Sequence, residues 1–471
     1  GAPPGRRTAV LANGVAARLG AARAAAHGPR RASGWANDRV NTAVRELAQA
    51  ALLHGDPVLH VPAAELYGYV ALLAGSASLT AQAQWLVEQV LDPRHADARA
   101  ACALALGAMY ARVGGLHASP LTPTVSRLLL SLARDPHPAV HTRALQALAQ
   151  VMEAAGVAYE PFAASTLELV AHLCASASHE PEGGSAGSAN LRAHWAASPA
   201  LARVLGAVVG VLGPELLEAP TKRTLVYALL LYLARDAGDA AAAEAVHGLQ
   251  RLGLVVPTLL ETRVGAALLH DALERGAAHA PLAHAAAGAY VQMAQRGTAW
   301  LAQHGGPALL VGLLARLDRD PSLQGVRTLV QVWLRDTAGT RPFAWVDLAR
   351  RLWTALDAPD APDARRGGEA DEAAAALAPA ARAAARAAPG WRTQLFLLQC
   401  LHQVLQLAGT GPAAAQHAGP TADARDPRSL SHRVGDLIQL TCSASTATHC
   451  AVRRQGLRVV REVLALSLIH I

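Results

Sequence analysis

Two stretches decide the reading of this chain: Leu91-Asp92-Pro93-Arg94-His95-Ala96-Asp97-Ala98-Arg99-Ala100-Ala101-Cys102-Ala103-Leu104, and Arg134-Asp135-Pro136-His137-Pro138-Ala139-Val140-His141-Thr142-Arg143-Ala144-Leu145-Gln146-Ala147-Leu148. Each runs Asp-Pro, a short turn, then an apolar helical pattern with one arginine, and the two Asp-Pro pairs are 43 residues apart. Proline fixes φ, lacks an N–H, and pushes the residue before it out of the α region, so it ends one helix and suits the first turn of the next. The aspartate can accept free N–H groups at the new helix start. Beyond the second turn, Val140, Ala144, Ala147, Leu148 and Val151 recur at spacings of three and four. That spacing puts them on one helical face. Val125, Leu128, Leu129 and Leu132 form a matching stripe before the turn.

A repeat of this length falls within the roughly 40–47 residues of HEAT and armadillo units. Neither helix of such a unit can bury its apolar stripe alone, so each packs on its partner and on the next pair. The expected fold is all-α, a solenoid of HEAT/armadillo-like helical hairpins. Its repeat signature is Asp92, Pro93, Arg99, Gly107, Asp135, Pro136, Val140 and Arg143. Arg99 and Arg143 stand where an arginine can reach the aspartate of an adjacent repeat, and we expect a ladder of that kind rather than two solvated side chains.

Working outward, helical patterns appear over Asn41–His54, Val61–Ala74, Leu79–Leu91, Pro161–Ala175, Ser198–Leu212, Lys222–Arg235, Ala241–Leu252, Arg263–Arg275 and Leu282–Gln295. They continue through Ala308–Leu317, Val326–Leu334 and Trp345–Leu356, then Trp391–Leu407 and two helices in Leu430–Leu466 that turn near Ala444–Thr448. No alternating polar and apolar run forces a sheet. The expected organisation is a basic, disordered segment over 1–33, the solenoid over 34–356 with a loop at 176–190, and a low-complexity linker with an alanine-rich helix over 357–390. Further repeats follow over 391–466, with a loop at 409–427, and the tail at 467–471 looks foreign to the rest.

Composition narrows the function. The chain has 471 residues, 52% hydrophobic but only 4% aromatic, so alanine and leucine carry the core. Lys222 is the one lysine, and isoleucine occurs only at Ile438, Ile469 and Ile471, a bias that reads as GC-rich coding rather than function. The net charge of +7 is concentrated at the start: residues 1–39 hold seven arginines against Asp38. The remainder is close to neutral, which is not the broad positive face of a nucleic-acid reader. The arginine-rich start could meet an acidic partner or lipid heads, but its composition favours a solvated segment. The five cysteines, Cys102, Cys174, Cys400, Cys442 and Cys450, are odd in number and widely spaced. Four of them lie inside apolar helical patterns and read as small buried hydrophobes, and the absence of a disulfide spacing suggests a reducing compartment. The longest strongly apolar run, near Leu225–Ala234, is far short of a membrane span, so a soluble chain is expected. Gly1-Ala2-Pro3 carries no methionine, which suggests a piece of a longer protein.

No constellation points to catalysis or to a cofactor. His137 and His141 have the i, i+4 spacing of a zinc pair but straddle Pro138. Cys442, His449 and Cys450 lack the C-x-x-C spacing of a metal site. Gly409-Thr410-Gly411-Pro412 lacks the Lys-Ser/Thr of a phosphate loop. Glu65, Glu88 and Glu153 read as isolated, solvated carboxylates on helix faces.

The run Ala98–Pro161, with Cys102 to Ala108, Val113-Gly114-Gly115, Asp135 to Val140 and Ala155-Gly156, resembles the HEAT repeat-containing protein 5 family. Its yeast member is the large accessory protein of the type-1 clathrin adaptor. Trp391-Arg392-Thr393 leading to Cys400 is similar to the same family. So are Val434-Gly435-Asp436-Leu437-Ile438, Ala444-Ser445-Thr446 and Arg454-Gln455-Gly456-Leu457-Arg458-Val459-Val460, in the same order. The resemblance implies a non-enzymatic cytoplasmic scaffold in vesicle traffic between the trans-Golgi network and endosomes. Its partners would be clathrin adaptor subunits and their co-factors, and it would reach Golgi or endosomal membranes and clathrin-coated vesicles peripherally through them. No nucleic acid or small-molecule substrate is expected. The other reading is a karyopherin-like transport receptor or another generic HEAT-repeat scaffold. A receptor for basic cargo would want an acidic inner face, and the chain shows no acidic excess.

Overall fold

The computed structural model describes residues 4–27, 38–92, 94–178, 187–260, 262–275, 279–294, 330–331, 334, 345–347, 349–350, 353–354, 390–410 and 433–469. They form helices and turns, with no strand among the described residues. The chain divides into two compact units, Gly1–Leu259 and Leu260–Ile471.

The first unit is a row of helical hairpins. Helix α1 (Pro4–His27) precedes α2 (Asp38–Leu52) and α3 (His60–Ala74). The hairpin α4 (Ser76–Leu91) and α5 (Ala96–Val113) holds the first Asp-Pro turn, and the one-turn helix α6 (Gly115–Ala118) follows. The second Asp-Pro turn joins α7 (Thr122–Leu132) to α8 (Pro138–Ala155). Then come α9 (Glu160–Ser178) with α10 (Gly187–Leu212), the one-turn α11 (Glu215–Glu218), and α12 (Pro220–Asp236) with α13 (Asp239–Val255). The second helices of the hairpins, α3, α5, α8, α10 and α13, pack side by side in that order, and each first helix packs on its own partner. This is the all-α solenoid that the repeat predicts.

The second-helix layer is the core. In α5 every residue from Ala100 to Tyr110 is buried, because α3, α4 and α8 surround it. Small residues set the spacing. A Cβ on Gly107 would lie 2.6 Å from the Ala147 Cα of α8, and one on Gly206 would lie 3.3 Å from the Gly248 Cα of α13. Only residues without a side chain let these backbones approach so closely.

Several sequence expectations change. Residues 4–27 form a helix rather than a disordered segment: Val15, Leu19 and Ala22 are buried, α1 packs on α2 and α3, and Arg23 pairs with Glu65 of α3. The arginine-rich composition hides this because apolar residues at i, i+4 and i+7 suffice for one buried stripe. The expected loop at 176–190 is narrower, since α9 runs to Ser178 and α10 begins at Gly187 and passes through Pro199. The proline masks that early start, and residues 179–186 lie outside the described residues. Helix Cys450–Ile469 runs into the tail at 467–471. Pro57–Ala74 is long and apolar enough to cross a membrane by length and composition, although polar residues interrupt its apolar run. Leu59, Leu66, Tyr67, Val70 and Ala71 are buried inside the unit, so it is a core helix here.

In the second unit, α14 (Arg263–Arg275) packs on α15 (Ala280–Ala294), and α16 (Trp391–Thr410) and α17 (Val434–Thr446) both pack on α18 (Cys450–Ile469). Ala308–Leu317, the linker over 357–389 and the loop over 411–427 lie outside the described residues.

Burial has a pH consequence. It pushes the Tyr110 and Tyr159 hydroxyls up to about 12 from their usual 10. It pushes the Cys102 and Cys400 thiols up to about 12 and Cys174 up to about 11, from 9. Each folded value exceeds the unfolded one, so the unfolded chain sheds these protons first. The stability they contribute is complete below about pH 9 and is lost as pH rises through the folded values. The denaturant midpoint should therefore hold level through neutral pH and fall progressively above about pH 9. Tyrosinate absorbance from the buried rings should appear only as helicity is lost. Complete tyrosine titration with helicity intact would refute this.

Candidate functional site

Of the expected arginine–aspartate ladder, the described residues show one rung, Arg99 to Asp135. Asp92 caps the end of α4, and its carboxylate accepts the Arg94 N–H (3.0 Å) and Arg94 Nε (3.1 Å), which hold it below the usual carboxylate range. Pro93 lies outside the described residues. Arg99, in the first turn of α5, donates Nε to the Val90 carbonyl of α4 (3.0 Å) and a terminal nitrogen to Asp135 of the next hairpin (2.7 Å). Asp135 also accepts the His137 N–H across Pro136 (2.9 Å), which shapes the turn. Val140 is fully buried in α8, and Gly107 is the close-approach point of α5 on that helix. Arg143 donates to Gln146 of its own helix (2.9 Å), and burial lowers its guanidinium. Residues 179–186, between α9 and α10, lie outside the described residues.

Sequence reasoning missed how the other hairpin turns are tied. His141, one of the spaced histidines, bonds through Nδ1 to the Ala133 carbonyl at the end of α7 (2.6 Å), and His60 bonds through Nε2 to the His54 carbonyl beyond α2 (2.7 Å). With Arg99 on Val90, three successive second helices use a first-turn side chain to satisfy a carbonyl at or just beyond the end of the first helix. Two buried tyrosines link a hairpin to the next segment: Tyr67 donates to Gln82 O (3.1 Å) and Tyr110 to Ala118 O (3.0 Å).

The outward face of the second-helix layer carries the polar groups. Arg23 of α1 pairs with Glu65 of α3, and the Arg112 guanidinium of α5 stands 4.4 Å over the Tyr69 ring of α3. Glu153 of α8 receives Arg203 of α10 through both oxygens (2.7 and 3.3 Å), and Arg251 of α13 approaches the same carboxylate at 3.5 Å. Glu153 holds the Arg203 guanidinium above its usual value. Glu65 and Glu153 are therefore not isolated carboxylates; each pairs with an arginine 42 or 50 residues away, which local spacing cannot reveal. Around Glu153 lies a groove of about 560 Å³ lined by Arg203, Glu244, His247, Arg251 and Leu254, with Gly206 and Gly248 at its floor. Its charges come in opposite pairs on three adjacent helices.

The cysteines split. Cys102, Cys174 and Cys400 are buried, whereas Cys442 and Cys450 are exposed, against the expectation of buried thiols: Cys442 lies on an exposed position of α17 and Cys450 begins α18. Native protein should react with iodoacetamide quickly at Cys442 and Cys450 and slowly at the other three, as mass spectrometry of the peptides would report. Equal rates at all five would contradict the burial. Among the described residues no three His, Cys, Asp or Glu side chains gather as metal ligands.

No protein-family model matches the chain. Importin β crystallised from ammonium sulfate is 14% identical, with a TM-score of 0.51 over 90% of this chain and 53% of its own. Importin β crystallised from polyethylene glycol is 12% identical, with a TM-score of 0.51 over 91% of this chain and 55% of its own. The chain thus spans about half the length of these structures. Likeness at this identity concerns the fold, and the fold is that of a HEAT-repeat helical solenoid.

Proposed function

We propose that this chain is a stretch of a HEAT-repeat scaffold that holds a protein partner on the outward face of its second helices and performs no covalent chemistry. The observation that carries this reading is the charge-paired ribbon from Arg23–Glu65 to Glu153–Arg203–Arg251, displayed on side-by-side helices. Stacked hairpins create such an extended surface without a catalytic cleft. A karyopherin-like carrier of protein cargo is the finer reading we favour, supported by the likeness to importin β along 90% of the chain. Since the ribbon is balanced rather than acidic, its cargo would carry both signs of charge.

The second reading is a scaffold for the type-1 clathrin adaptor, peripheral on Golgi or endosomal membranes. It is supported by the ordered sequence segments near Ala98–Pro161, Trp391–Cys400 and Val434–Val460. Immobilised chain would be challenged with a Lys/Arg-rich localisation peptide, with a mixed-charge peptide, and with purified type-1 adaptor. Retention of the mixed-charge peptide supports the carrier reading, and retention of adaptor subunits supports the second. Retention of none by a chain with full helical ellipticity would overturn both.

A further inference from the structure

The groove on the first unit has an internal order. Glu244, His247, Arg251 and Leu254 fall at i, i+3, i+7 and i+10 of α13, so they share one helical face, and all four line the groove. Their commitments differ. Both oxygens of Glu153 are taken by Arg203, which leaves Arg251 with one long contact at 3.5 Å and a side chain 46% exposed. His247 is exposed one turn away, and Leu254 is 70% exposed at the end of the stripe. Glu244 sits half-buried about 10 Å from Arg251 along the helix axis. The floor between α10 and α13 is backbone, because Gly206 and Gly248 meet there without side chains.

The two glutamates and two arginines of the groove cancel. A polyanion such as nucleic acid or an acidic membrane gains little from it, and neither does a uniformly basic segment. What remains is a sequence of demands along one face: negative at Glu244, positive at Arg251, apolar at Leu254. We propose that this face of α13 is the seam for an amphipathic helix of a protein partner. That helix places a basic residue against Glu244, an acidic residue against Arg251 and an apolar residue against Leu254. The inference rests on the scaffold reading and adds the chemistry and register of the partner. Helices that meet along such a stripe choose partners by the order of their charges more than by contact area.

The probes are helical peptides with Lys, Glu and Leu at i, i+7 and i+10 on an Ala/Gln background, made in both chain directions, and the same peptides with Lys and Glu exchanged. Fluorescence anisotropy at low ionic strength should show one direction of the Lys–Glu–Leu peptide binding about tenfold tighter than its exchanged form. The double variant Glu244→Arg, Arg251→Glu should invert that preference, with its melting temperature close to the parent's. Equal binding of the two charge orders, no binding of either, or a preference that survives the double variant would each overturn the proposal. The immobilised-chain experiment separates this from the broader reading. A double variant that retains cargo or adaptor as the parent does removes this seam and leaves the scaffold. Discriminating peptides without retention of either partner would do the reverse.

Discussion

Replacing Gly107 with valine should cost the first unit about 3 kcal/mol or more, at the upper end of what overpacking a close-packed interior costs. A Cβ there would meet the Ala147 Cα at 2.6 Å and the Ala147 Cβ at 2.9 Å, and both belong to a neighbouring helix that is itself fully packed. The nearest atom, Gln150 Oε1 at 2.5 Å, can swing aside, but rotamer change cannot move the Ala147 backbone. The two helices must separate, which opens the layer along α5 and α8, where Leu106, Met109, Leu145 and Leu148 are buried. Gly20 supplies the contrast. It lies inside α1 with nothing within 4 Å of an added Cβ. Gly20→Ala should stabilise by about 0.5–1 kcal/mol through helix propensity. Thermal and denaturant melts followed by helical ellipticity measure both changes. A Gly107→Val protein that melts with the parent would mean that the layer is looser than its glycines imply.

The Arg99–Asp135 pair should give the second large effect. The two side chains are 20% and 11% exposed and 2.7 Å apart, and Arg99 also ties off the Val90 carbonyl. Removing either partner leaves the other mostly buried, and a loss of about 3 kcal/mol is expected for Arg99→Met or Asp135→Leu. The double variant should lose less than the sum of the two singles, since it strands no charge; a coupling of about 1–3 kcal/mol is expected. Additive single losses, or losses below about 0.5 kcal/mol, would class the pair with ordinary surface ion pairs. A pair made across 36 residues should also couple the two hairpins, so the variant's melt should broaden as the hairpins lose cooperativity.

The repeat carried most of the fold in plain view. Asp92, Asp135 and Pro136 mark where helices end and begin, and Arg99 ties the first turn. The spacing from Val140 to Val151 marks the buried face of α8. Single features misled where a local rule met a tertiary one. The arginines of α1 suggested solvation, yet three apolar positions and a pairing with Glu65 were enough to dock the helix. Cys442 sits in an apolar pattern inside α17 and Cys450 at the start of α18, yet both are left in solvent.

The groove was the least legible part. Glu153, Arg203 and Arg251 come from three helices of three repeats, separated by tens of residues. Periodicity reports which face of one helix is apolar, and nothing in it says which polar residue of the next repeat will stand opposite. The type of element, its limits and its need for neighbours follow from short-range physics: turn chemistry, proline and a 3.6-residue period, all written within a few residues of one another. Which carboxylate meets which guanidinium, and which glycines let backbones touch, depends on how far each hairpin is rotated and shifted against the one before it. That offset arises from packing between repeats, so the paired ribbon and the groove exist only once the hairpins are stacked.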